Sequence, residues 1–119
     1  MGYTVKLATS GIAGVTNLVG SNIDQTNNNL EVAVNSVIAL QGTAAYTVML
    51  PENPDSGAIV EFKNLVDVEN AAVSPDTFLV TIDRNDNLID GTPNDITTVT
   101  RNEVFRLTYI NPTIGWLVV

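Results

Sequence analysis

"EVFRLTYINPTIGWLVV", Glu103 to Val119, is the stretch on which the reading of this chain turns. Phe105, Leu107 and Tyr109 point one way and Arg106 and Thr108 the other, the period of two that marks a strand with one buried face. "NPTIG", Asn111 to Gly115, has the residues of a turn. "WLVV" then ends the sequence on four apolar residues. They escape water only if this last strand is tucked into a sheet.

The same alternation recurs upstream. "YTVKLA", Tyr3 to Ala8, reads as a first strand. "LEVAVNSVIALQG", Leu30 to Gly42, reads as one long strand or two short ones kinked at Asn35-Ser36. In "AAYTVMLPE" Tyr46, Val48 and Leu50 share a face, and Pro51 stops the ladder because it lacks an N–H. "NPDSG" is a turn. In "AIVEFKNL" Ala58, Val60 and Phe62 oppose Ile59, Glu61 and Lys63, and the side carrying Glu and Lys faces water. Thr77 to Asp83 is a strand with Phe78, Val80 and Ile82 on one side. "ITTVT" is short and Thr-rich, which suits an edge.

About eight or nine short strands follow, with frequent turns and no helix of consequence. The fold class expected is all-β: an antiparallel β-sandwich, jelly-roll-like, or a small barrel. With 119 residues the chain is the size of one domain. Within it, residues 1–29 form an N-terminal strand and an extended arm, and residues 30–119 the β domain. The arm, residues 9–29, is rich in Gly, Asn, Ser and Thr. Its isolated apolar residues Ile12, Val15, Leu18, Val19 and Ile23 are the candidate partner-binding positions. The alternative is that the arm wraps its own domain. Val66 to Asp76 is a second loop.

Composition removes whole classes of chemistry. There is no cysteine and no histidine. Thiolate nucleophiles, cysteine-based zinc sites and the commonest general base are therefore absent. No phosphate-binding glycine loop or serine elbow occurs. A net charge of -8, from 13 acids against 5 bases, argues against nucleic acid as a partner. No apolar run reaches the roughly 18 residues of a membrane span. No cofactor is expected.

The remaining polar candidate is "TIDRNDNLIDG", Thr81 to Gly91. Measured against a helix–loop–helix calcium site, Asp83, Asn85 and Asn87 fill the first, third and fifth ligand positions. Leu88 stands where the loop needs glycine, and Asn94 where it needs a bidentate Glu. A looser calcium site from Asp83, Asp86 and Asp90 stays open beside a second reading, a tight polar turn whose Asn and Asp side chains bond their own backbone. Asp83 and Asp90 as a hydrolytic carboxylate pair would need a cleft, and no aromatic-lined cleft is evident. Trp116 and Tyr109 could stack on a sugar, but at alternating strand spacing they read as core.

From Ile89-Asp90-Gly91 onward the sequence resembles a module of bacteriophage structural proteins. "TIDRNDNLIDG", a spacer and "EVFRLTYINPTIGWLVV" are similar to its polar turn, its aromatic-alternating strand and its terminal "gW" strand. The upstream "YTVMLPENPDSGAIVEFKNL" resembles the hairpin that often precedes it. Together these cover about residues 44 to 119. Such modules occur in tail fibres, tailspikes and small head proteins. The resemblance implies a β-rich, trimeric virion component. It makes Asp90-Gly91 a turn, Pro51 to Gly57 a hairpin connection, and Phe105, Leu107, Tyr109 and Trp116 core positions. It transfers no catalytic residue.

The expectation is a non-enzymatic capsid decoration, or cement, protein on the outer surface of the phage head, made in the host cytoplasm. A short chain starting at its own Met1, with no stalk-forming repeat, favours this. Its partners would be the major capsid protein and further copies of itself, with a trimer as the oligomer; nucleic acid and membrane are not expected. The alternative is a tail-fibre tip or tail-associated protein that binds a host glycan.

Overall fold

Residues 18–66, 80–98 and 100–119 are described by the computed structural model. They form nine strands in two sheets. Val19–Ile23 is β1, Leu30–Glu31 β2, Ser36–Leu40 β3, Tyr46–Met49 β4, Ile59–Asn64 β5, Val80–Asp83 β6, Ile96–Thr98 β7, Val104–Asn111 β8 and Gly115–Val118 β9. The only helix among the described residues is a single 3-10 turn, Gln25–Asn27, with Asp24 as its N-cap. The expected all-β class is what the described residues adopt, and their nine strands compare with the eight or nine expected of the whole chain.

Sheet A has the order β1-β3-β5-β8-β9 and sheet B the order β2-β4-β6-β7. Odd strands up to β5 lie in sheet A and even strands up to β6 in sheet B. Each passage through A and then B completes one coil. Successive coils therefore lie parallel, with Val19 beside Ser36 beside Val60 in sheet A and Leu30 beside Val48 beside Ile82 in sheet B. This is the winding of a short β-solenoid. The last three strands reverse it: β7 runs antiparallel to β6, β8 to β5 and β9 to β8.

The expected antiparallel sandwich is corrected in this respect. Two sheets do sandwich one core, but their pairing is mixed, four parallel pairs and three antiparallel. Alternation reports which face a residue occupies and carries nothing about strand direction. A parallel pair requires a crossover, and here the opposite sheet supplies it. The hairpin expected across Pro51 to Gly57 is corrected likewise, because β4 and β5 lie in different sheets.

Asparagines make the corners. Asn29 and Asn35 both have positive φ, 66° and 61°, which Asn tolerates better than most residues. The Asn28 side chain accepts from the Thr47 amide of the next coil at 2.8 Å. The Asn35 side chain accepts from the Ile59 amide at 3.2 Å, while the Asn35 amide donates to the Ile59 carbonyl at 2.6 Å. The break expected at Asn35-Ser36 is thus a corner between β2 and β3.

The core fills from both sheets. Ile38, Leu40, Val60, Phe62, Leu107 and Trp116 come from sheet A, and Val48, Val80 and Ile82 from sheet B; all are buried. Tyr109 meets Trp116 edge-on, with ring centroids 5.5 Å apart, so both aromatics are core residues. One polar link crosses the core: buried Asn64 of β5 donates to the Thr98 hydroxyl of β7 at 3.1 Å and accepts from the Val66 amide at 2.8 Å.

Candidate functional site

The acidic stretch lies between β6 and β7. Asp83 ends β6, and its carboxylate accepts from the Asn85 amide at 2.7 Å. Asn85 and Asp86 take positive φ, 52° and 69°. The Asn85 side chain donates to the Leu50 carbonyl at 2.9 Å and that of Asn87 to the Glu52 carbonyl at 3.0 Å. Arg84 closes the turn by donating from its guanidinium to the Asn87 carbonyl at 3.0 Å. Between the calcium and polar-turn readings, these bonds favour the turn, and it also grips the Leu50–Glu52 segment.

Beyond the turn the chain leaves sheet B and crosses to the edge of sheet A. The Trp116 amide donates to the Leu88 carbonyl at 2.8 Å, and the Asp90 and Gly91 amides donate to the Trp116 and Ile114 carbonyls at 2.7 and 2.8 Å. Ile89 makes a parallel bridge with Trp116. The Asp90 carboxylate accepts from the Val118 amide at 3.0 Å. This short extra rung occupies hydrogen-bonding groups on the outer edge of β9. The expected turn at Asp90-Gly91 therefore also joins the two sheets.

Asp83, Asp86 and Asp90 do not come together. Among the described residues no group of three acids could hold a metal ion. Asp83 is committed to its own turn and Asp90 to β9, so the calcium candidate is withdrawn. Each carboxylate of the hydrolytic pair is likewise an acceptor for a backbone amide, that of Asn85 at Asp83 and that of Val118 at Asp90.

The apolar candidates of the arm divide. Ile12 and Val15 lie outside the described residues, as do the strand expected at Tyr3 to Ala8 and most of the loop after Val66. Leu18 is half-buried. Val19 is 68% exposed, while Ile23 is only 3% exposed and belongs to the core. Ile23 is thus corrected from a partner contact to a structural residue. Among the described residues Val19–Ile23 is one of the two edge strands of sheet A, paired with β3 along its whole length, so the division at residue 29 falls inside the first coil. "VGSNI" was hard to see as a strand because, as an edge strand, it buries only its last residue.

Sequence reasoning passed over two surfaces. The first is the end of the solenoid at β1 and β2, which no described element covers. A cavity of about 300 Å³ there is bordered by Val19, Ile23, Leu30, Glu31, Val32 and Ile38. Leu30 and Val34 remain partly exposed beside it, at 44% and 39%. The second is the outer face of sheet A. Val37, Ala39, Ile59, Val104, Ile110 and Leu117 occupy it, with Glu61, Lys63 and Arg106 as its only charges. The outer face of sheet B is different, carrying Thr47, Thr81, Thr97, Met49, Glu31 and Asp83. The signal for the apolar face was present in the off-phase residues of β3, β5 and β8, which are apolar more often than a wet face requires.

No protein-family model matches the chain, and no curated protein matches it.

Proposed function

We propose that this protein is a structural component of a bacteriophage virion, a decoration protein that binds the assembled head as a homo-oligomer and braces neighbouring capsomers. The observation that carries the reading is the junction between Leu88–Gly91 and Gly115–Val118. These segments belong to the stretches whose sequence resembles phage structural modules, and with Ile114 they meet through three backbone hydrogen bonds and one from the Val118 amide to the Asp90 carboxylate, rather than around a cleft. The acidic residues nearest the junction serve as hydrogen-bond acceptors for backbone amides. The chain thus invests its polar groups in rigidity and leaves an apolar sheet face for contact. Bracing a shell needs buried interface repeated over many copies, where modest contacts multiply.

The test is binding of the purified chain to phage heads that lack it, with a host-glycan array run in parallel. Saturable co-sedimentation with heads and an unreactive array support decoration. Specific glycan binding with no head association transfers the protein to the tail.

A further inference from the structure

We infer that the outer face of sheet A is the surface through which copies of this chain associate. The inference rests on the homo-oligomer proposed above and names the face that forms it. Three observations point to this face. First, four of its five strands contribute apolar residues, Val37 and Ala39 on β3, Ile59 on β5, Val104 and Ile110 on β8 and Leu117 on β9, while β1 contributes Gly20 and Asn22 and β8 also Thr108. Val104 and Leu117 are 55% and 37% exposed. No described element covers them. Apolar positions gathered on one sheet face, unlike scattered ones, mark an interaction surface.

Second, the face reverses the charge of the molecule. The chain carries -8, so two copies repel wherever acid meets acid. On this face two bases, Lys63 and Arg106, accompany one acid, Glu61. Sheet B offers the opposite, two acids and no base on its outer face. Two copies that approach through sheet A therefore do not bring acid against acid, and each face adds a net charge of only +1, from Lys63 and Arg106 against Glu61.

Third, the charges on the face are self-complementary. Glu61 and Arg106 sit opposite one another in the register of β5 and β8, 3.7 Å apart. Arg106 keeps 48% of its side chain exposed. Its unused donors can reach Glu61 of a second copy while Glu61 of its own chain receives Arg106 of the other. A contact in which the same patch serves both partners closes a two-fold dimer, so the oligomer this face builds is a dimer and not the trimer the resemblance implies. A purely acidic or purely basic partner would leave one member of each pair facing a like charge.

The experiment is sedimentation equilibrium on the full-length chain without any phage heads. It compares the wild type with Leu117→Glu, Glu61→Arg, Arg106→Glu and a control on the other sheet, Thr81→Lys. Circular dichroism establishes that each is folded. The wild type and Thr81→Lys should sediment as oligomers. Leu117→Glu and each single charge reversal should shift to the mass of one chain, with at least a tenfold weaker association. Mixing Glu61→Arg with Arg106→Glu should restore assembly, because each then supplies the charge the other lacks. A wild type that is monomeric, or oligomers unaffected by Leu117→Glu, would overturn the inference. Loss of head binding by a Leu117→Glu variant of an already monomeric protein would assign the face to the shell instead. Oligomers that dissociate as expected but ignore phage heads leave this face established and remove only the decoration reading.

Discussion

The Leu88 carbonyl oxygen lies where a β-carbon on Gly115 would have to be. Gly115 also has φ of 74°, and the next residue, Trp116, donates its amide to that same carbonyl. Glycine is required twice over, by conformation and by space.

Gly115→Ala should therefore be among the most damaging small substitutions. Left-handed strain and a clash with backbone together should cost on the order of 3 kcal/mol. Thermal denaturation checks this. Gly57→Ala, also at positive φ (92°) but with open space around it, should lose only about 1 kcal/mol.

Asp90 separates the structural from the ion-binding account. Asp90→Asn keeps an oxygen for the Val118 amide and should leave the melting temperature nearly unchanged. Asp90→Ala removes the acceptor and places Ala at φ of 51°, which should cost about 1 to 2 kcal/mol. Millimolar calcium should shift neither the wild type nor Asp90→Asn in differential scanning calorimetry.

Asn64 ties β5 to β7 from inside the core. Replacing it with Leu keeps the size but strands the buried Val66 amide and takes a donor from Thr98. Asn64→Leu should lose about 2 to 3 kcal/mol, measured by urea titration. An increase in stability would mean that the link serves alignment of the sheets rather than their cohesion.

Tyr46 supplies a pH dependence at the alkaline end. Burial, followed by the nearby Asp24 carboxylate, raises its phenol well above the ordinary value of 10. Its hydroxyl donates to the Gln41 carbonyl at 2.6 Å and lies 3.2 Å from the Ile23 carbonyl, joining β4 to the ends of β3 and β1. With the folded value raised, the unfolded chain releases this proton first as pH climbs. Stability from Tyr46 is thus whole below about pH 10 and falls above it. Denaturant midpoints measured through that range should drop for the wild type and drop less for Tyr46→Phe.

Much of this fold was legible from alternation. The faces of Ala58 to Lys63, the stop at Pro51, the edge character of "ITTVT" and the burial of Trp116 all follow from period two and from turn chemistry. The solenoid was not legible. Asn29 and Asn35 read equally well as hairpin turns or as coil corners, since the same left-handed conformation serves both. The second turn of the acidic stretch was legible as a turn, but its bonds to β9 span 26 to 28 residues, a distance over which no local pattern reports. β1 escaped because it is held by backbone pairing with β3 while four of its five residues stay exposed, so no hydrophobic alternation marks it.

Imaging of phage heads incubated with the purified chain, by electron cryomicroscopy, tests the central claim most directly. The account predicts added density at regularly repeated positions on the outer shell, into which the two-sheet solenoid fits with sheet A facing its own symmetry mates. Heads without added density under saturating protein would contradict it.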